Sequence, residues 1–211
     1  MSRFFIPAVK EYRQEEVIKR SRFIVTLGHV HSAQQAKEFV ARIQEEFPDA
    51  THNCWAWQAG AAGDSSVVGM SDDGEPHGTA GRPMLNILLH SGIGEIGAVV
   101  TRYFGGIKLG TGGLVRAYSG MVQLGLDTLP VREKIIPVYL EIIIEYTAVT
   151  LFKRLLPEFE AEVLKENYAA DAGFWVVLPQ EHQQDFRLAV DNICNGQCLI
   201  SILGMEARHA L

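Results

Sequence analysis

Two segments hold most of the residue types that could do chemistry. The first, RYFGGIKLGTGGLVRAY at residues 102–118, threads glycines 105, 106, 110, 112 and 113 among the cations Arg102, Lys108 and Arg116. Glycine lets a backbone approach a ligand closely, and a helix N-terminus offers free N–H groups with a partial positive charge. Tyr103 and Phe104 add a stacking surface, and Thr111 stands among the glycines. Arg102, Tyr103, Phe104, Gly105, Gly106, Lys108, Gly110, Thr111, Gly112, Gly113 and Arg116 are therefore the candidate contact for a phosphate or an RNA backbone. The competing reading is a tight strand-to-helix turn with solvated cations. The spacing matches neither a P-loop nor the dinucleotide fingerprint.

The second segment, SDDGEPHGTAGRP at residues 71–83, is a candidate second loop of the same site. Asp72, Asp73 and Glu75 are the oxygen ligands a hard cation such as magnesium takes, and His77 is titratable beside them. The alternative is an Asx-type turn in which Asp72 and Asp73 bond nearby backbone N–H groups and Gly74 takes a positive φ. Thr79 would then cap the helix containing Pro83 and Leu85. The spacing departs from an EF-hand loop, so no particular metal or cofactor is assigned.

A third constellation joins His52 and Cys54, on one strand face, with His77 and Asp72 as a thiol hydrolase. Against it, a cysteine flanked by Trp55 and Trp57 in a strand reads as an inert, buried small hydrophobe. Cys194 and Cys198 lack zinc spacing, and histidines 29, 31, 90, 182 and 209 follow no ligand pattern.

Elements must hold these segments in place. FIPAVKEYRQ and EVIKRSRFIVTLGHV read as two strand-like stretches around a polar turn. Ser32 with Gln35 reads as a capping pair, opening a helix with Ala36, Phe39, Val40, Ile43 and Phe47 at helical spacing until Pro48. THNCWAWQAG is a strand. Residues 60–82, rich in Gly, Ser and Asp, read as a long irregular segment, and MLNILLH after Pro83 as a short helix. EIGAVVTRYF is a buried strand, and the helix after the glycine loop aligns Leu114, Tyr118, Met121, Val122 and Gly125. Pro130 and Pro137 bracket a charged connector, VREKII, which marks a domain boundary giving domains of 1–134 and 135–211.

Beyond the boundary, VYLEIIIEY is a strand and TAVTLFKRLLPEF a helix with Leu151, Leu155, Leu156 and Phe159 inward. AEVLKENY and GFWVVLP are strands, EHQQDFRLAVDNIC buries Phe186, Ala189, Val190 and Ile193, and QCLISILGMEA is a closing strand. The order βαββαβ is the ferredoxin-like pattern. The fold class is α+β in two domains.

Composition bounds the rest. Hydrophobic residues are 47% and charged residues 21% of 211, which is ordinary globular usage. The amino terminus lacks a secretory h-region, apolar runs are too short to span a bilayer, and three cysteines suggest no disulfide framework. A cytoplasmic, non-membrane protein is expected. The net charge of −6 excludes coating nucleic acid by bulk electrostatics. Residues 1–130 hold 12 Lys and Arg against 13 Asp and Glu, whereas residues 131–211 hold 7 against 12. Any nucleic-acid surface must be a local patch on the first part.

KRSRFI (19–24), HNCWAW (52–57), SDDGEPHGTAGRP (71–83) and RYFGGIKLGTGGLVRAY (102–118), in this order, resemble the YigZ/IMPACT family across essentially the whole chain. The resemblance implies an amino-terminal ribosomal-protein-like (second-domain type) α/β fold, shared with part of elongation factor G and GHMP-type kinases. It also implies a ferredoxin-like second domain similar to the last domain of elongation factor G. The kinase glycine motif is not reproduced, and the resemblance carries over no catalytic residue. Eukaryotic members act in translational control by binding the activator of a stress kinase, partly through an extra amino-terminal domain not found in this chain. The expectation is a translation-linked binding or regulatory protein, not an enzyme, that contacts RNA or the ribosome through the glycine loop, with a protein partner in translation control. The alternatives are a metal-dependent enzyme acting on a phosphorylated or nucleotide substrate, and a protein-interaction adaptor.

Overall fold

The computed structural model describes residues 3–204. It divides into two units, one from Arg3 to Lys134 and one from Ile135 onward.

In the first unit, three strands are buried along almost their whole length: β3 (Ser21–His29), β4 (His52–Gln58) and β6 (Ile96–Tyr103). Strands hidden on both faces need cover on both. With β2 (Glu11–Ile18) and β5 (Val68–Ser71) they form an antiparallel sheet in the order β2-β3-β6-β4-β5. Helix α1 (Ala33–Glu46) covers one face with Ala36, Phe39, Val40 and Ile43 against Trp57 and Val99. Its start follows the capping chemistry: the Gln35 amide donates to Ser32 Oγ at 3.2 Å, and the Gln35 side chain accepts from the His31 amide. Helices α2 (Gly81–His90) and α3 (Thr111–Thr128) cover the other face, with Leu85, Leu88, Tyr118 and Met121 meeting Phe23, Val25 and Leu27.

The structure revises three expectations. Residues 5–30 form parts of three strands, because Lys19 and Arg20 both take positive φ (45° and 66°) and turn β2 tightly into β3. That turn lacks the Asn or Gly that signals such a hairpin. The irregular segment contains strand β5, which pairs with Trp55–Gln58. The charged connector is itself a strand, β7 (Val131–Ile135), which pairs with β1 (Arg3–Pro7).

The second unit is a four-stranded sheet in the order β11-β8-β10-β9, from β8 (Pro137–Ile144), β9 (Glu162–Tyr168), β10 (Ala172–Pro179) and β11 (Cys198–Leu203). Strict alternation drives it: Leu140, Ile142 and Ile144 face the same core as Ala172, Phe174, Val176 and Leu178. Helices α4 (Val149–Leu155) and α5 (Gln183–Ile193) fill that core, completing the βαββαβ order. The α4 register differs from expectation. Phe152 points inward, its ring 4.7 Å from Phe174 and 6.3 Å from Phe186, while Leu151 is 48% exposed. The helix gives way at Leu156–Phe159 to a 3-10 turn carrying Pro157, and Leu155, Leu156 and Phe159 pack against that core as expected. In α5, Phe186 and Val190 are buried and Ile193 packs at the edge, but Ala189 is only half-buried. The expected tail of the last strand, Met205–Ala207, lies outside the described residues, as does His209.

Phe152 is fully buried at the meeting point of three aromatic rings. Replacing it with alanine is expected to cost about 3–5 kcal/mol, read as a fall in the denaturant midpoint.

Candidate functional site

Strand β6 carries Arg102 toward the α2/α3 side of the sheet, next to Phe23 on β3 and His52 on β4 in the strand register. Its guanidinium lies between two aromatic rings, 5.4 Å from the Phe23 centroid and 5.5 Å from the Phe104 centroid. Such a site tolerates a charge only when it is paired. Glu75 supplies the partner: its Oε1 accepts from Arg102 Nη1 and, at 2.8 Å, from the Tyr118 hydroxyl on α3. Arg102 is 5% exposed and Glu75 8%. Arg102 Nη2 also reaches Ser21 Oγ at 3.4 Å, whereas Nε has no hydrogen-bond partner among the described residues.

The loop bearing Glu75 is held by the carboxylates before it. Asp72 accepts backbone N–H bonds from Gly78, Ala80 and Gly81 at 2.8–2.9 Å, so it serves the N-terminus of α2 from a distance. Burial raises the Asp72 carboxyl pKa, but these three bonds outweigh it and hold the carboxyl below its ordinary value. Asp73 accepts from the Asn53 amide at 2.6 Å, and its backbone oxygen lies 2.7 Å from His52 Nδ1. Thr79 is not the helix cap; its hydroxyl donates to the Pro76 carbonyl, while Ala80 takes the cap position. The hard-cation arrangement is thus corrected: all three carboxylates are engaged by protein donors. Among the described residues, no group of three His, Cys, Asp or Glu stands close enough to hold a metal ion. His77 is fully exposed, 3.8 Å from Asp72.

The glycine loop closes the other side. A Cβ at Gly105 would fall 1.9 Å from the Arg20 carbonyl oxygen, so only glycine lets this loop pass the β2–β3 turn. The Gly105 amide donates to Ser21 Oγ at 3.2 Å, and the Phe104 amide to Thr51 Oγ1 at 3.0 Å. Gly110, with φ of 75°, is the N-cap of α3 and offers no side chain to the amides that follow. The first-turn N–H groups of Thr111, Gly112 and Gly113 therefore have no side-chain cap.

The two loops meet. A cavity of about 460 Å³ is lined by Glu75 and Pro76 from one loop and by Arg102, Phe104, Lys108, Gly110 and Thr111 from the other. His52 and Thr51 of the β4 edge complete its wall. The volume is that of a small-ligand site. Phe104 is 46% exposed and Lys108 is exposed.

Several expected contacts are placed elsewhere. Arg102 is a buried, paired arginine and not a free surface cation. Tyr103 turns to the opposite sheet face, where its hydroxyl donates to Asp49 at 2.9 Å under the Arg22 guanidinium. Gly106 and Arg116 are exposed and do not line the cavity. The thiol-hydrolase arrangement also fails. Cys54 is fully buried and its thiol donates to the Asp72 carbonyl, while burial pushes its pKa up to about 12. Burial first, then Cys54 and Glu75, likewise push the Tyr118 hydroxyl far above its ordinary value. The cavity thus offers hydrogen-bond donors, acceptors and an aromatic face.

Comparison with known proteins bears on this geometry. Residues 19–126, which carry the whole cavity, match the Impact N-terminal domain. The chain belongs to the IMPACT family. Residues 142–197 match a domain of unknown function, DUF1949. The chain is 42% identical to IMPACT family member YigZ of Escherichia coli (strain K12), over 98% of this chain and 100% of that one. It is 37% identical to IMPACT family member YvyE of Bacillus subtilis (strain 168), over 90% and 87%. A crystal structure of a hypothetical protein, 41% identical, superposes with a TM-score of 0.66 over 97% of this chain and 99% of that chain. No helix among the described residues is long and apolar enough to cross a membrane.

Two measurements check the site. Glu75→Ala leaves the Arg102 charge buried and unpaired, and should cost about 3–5 kcal/mol in chemical denaturation. The double change Glu75→Ala with Arg102→Met should recover part of that loss. Native protein treated with iodoacetamide at pH 8 should remain unmodified at Cys54 and react there only once unfolded.

Proposed function

We propose that the amino-terminal unit binds RNA at or near the ribosome, through the mouth of the cavity at the start of α3. One observation carries this reading: the uncapped N-terminus of an 18-residue helix opens beside the solvent-facing Phe104 and Lys108. Free first-turn amides and a lysine suit a phosphate, and an exposed ring suits a splayed base. The net charge of −6 is compatible with this, because the contact is a local patch and needs no basic surface around it. Family association with translation supports the setting, and a cytoplasmic location and a protein partner in translation control go with it. The metal-dependent enzyme reading draws little support, since the carboxylates it needs are engaged by backbone amides and by Arg102.

Co-sedimentation with ribosomes at low and moderate salt tests the proposal, comparing wild type with Phe104→Ala/Lys108→Ala. Arg102 is left intact because it holds the domain together. Wild type should pellet at low salt and be released as salt rises. The variant should bind at least about tenfold more weakly, given roughly 1–3 kcal/mol per stacked base. Equal pelleting would move the contact to another surface, and no pelleting of wild type at either salt would overturn the reading.

A further inference from the structure

The cavity wall formed by His52 and Glu75 has a feature that phosphate binding does not use. His52 Nδ1 lies 2.7 Å from the Asp73 carbonyl oxygen, which can only accept. In the neutral ring the hydrogen therefore sits on Nδ1, and Nε2 carries a lone pair. Nε2 stands 4.0 Å from Glu75 Oε2. Glu75 Oε1 already receives Arg102 and Tyr118, whereas Oε2 and His52 Nε2 have no hydrogen-bond donor among the described residues. With the ring neutral, two acceptors stand side by side on one wall, both on residues lining the cavity. The Glu75 side chain is 4% exposed and that of His52 21%; a ligand that fills the cavity displaces water from both acceptors and must satisfy them itself.

A single amino group with two hydrogens answers both acceptors at ordinary distances of about 2.9 Å. The Phe104 ring is steadied on one face by the Arg102 guanidinium and is half open to solvent. It supplies the plane on which a base carrying that amino group would lie. Building on the RNA-binding reading above, we propose that this cavity selects a nucleotide whose base bears an exocyclic amino group, as adenine, cytosine and guanine do, over uracil. Uracil offers one N–H flanked by carbonyl oxygens, and those oxygens would face the two acceptors. A site built to hydrogen-bond one group rejects an analogue lacking it, because its own buried partners are left unpaired.

The test is fluorescence anisotropy of labelled eight-nucleotide RNAs of adenosine, cytidine or uridine at one fixed salt concentration. The adenosine and cytidine oligomers should bind about tenfold or more tightly than uridine. Replacing adenosine by purine riboside, which lacks only the amino group, should reduce binding to the uridine level with the wild-type protein. His52→Leu removes the Nε2 acceptor and should bring the affinities of the three oligomers close together. The purine riboside comparison needs no variant, so it decides the matter even if His52→Leu fails to fold. Equal binding of all three RNAs, or of adenosine and purine riboside, overturns amino-group selection while leaving RNA binding intact. Failure to bind any RNA overturns both.

Discussion

Arg102 carries a full charge into a wall of apolar side chains, and it stays there because Glu75 arrives from a distant part of the chain to meet it. Each partner without the other would be an isolated buried ion, whose cost is a large share of a small domain's stability. The pair therefore imposes order on everything that delivers it. The 72–80 loop must be held rigidly, which Asp72 does through three backbone amides of the α2 start. Tyr118 must approach from α3, and Phe23 and Phe104 must flank the guanidinium. A buried ion pair contributes little net stability compared with apolar packing, but it is demanding about geometry. Here that demand fixes two loops against each other and thereby shapes the cavity.

The same logic separates residues that support the cavity from those that face into it. Arg102, Asp72, Asp73 and Cys54 look reactive by type, yet each is committed to a protein partner. What remains facing the opening is less conspicuous: a phenylalanine, a lysine, a histidine edge and the bare amides of a helix start. That set offers hydrogen-bond donors, acceptors and one aromatic face.

Much of the fold was readable from residues alone, for a physical reason. The βαββαβ order of the second unit follows from strict alternation in VYLEIIIEY and GFWVVLP, which a two-layer domain buries on one side. Where local signals were weak, the reading slipped. The β2–β3 turn uses Lys19 and Arg20 in a conformation usually taken by glycine or asparagine, and α4 turned on a Phe152 contact with rings far along the chain. At the site, residue types singled out two loops that the structure brings to one cavity, but not which side chains face inward. Arg102 and Tyr103 are consecutive, so they project to opposite faces of β6, and only the partner layer decides which face is the cavity. His52 stood out beside Cys54, but only the cross-strand pairing sets it next to Arg102 and the cavity.

The pairing of β1 with β7 bears on how the protein is made. Arg3–Pro7 is made before the other described strands of the first unit, yet its partner, Val131–Ile135, is the last of them to be synthesised. Until then β1 has an unpaired edge and Phe4 and Ile6 lack their final packing, although both are buried in the finished protein. Contacts between the two ends of a domain close late, because the intervening chain must first be ordered. The first unit therefore cannot be completed before synthesis reaches the threshold of the second, and the nascent chain spends that interval with an apolar strand exposed.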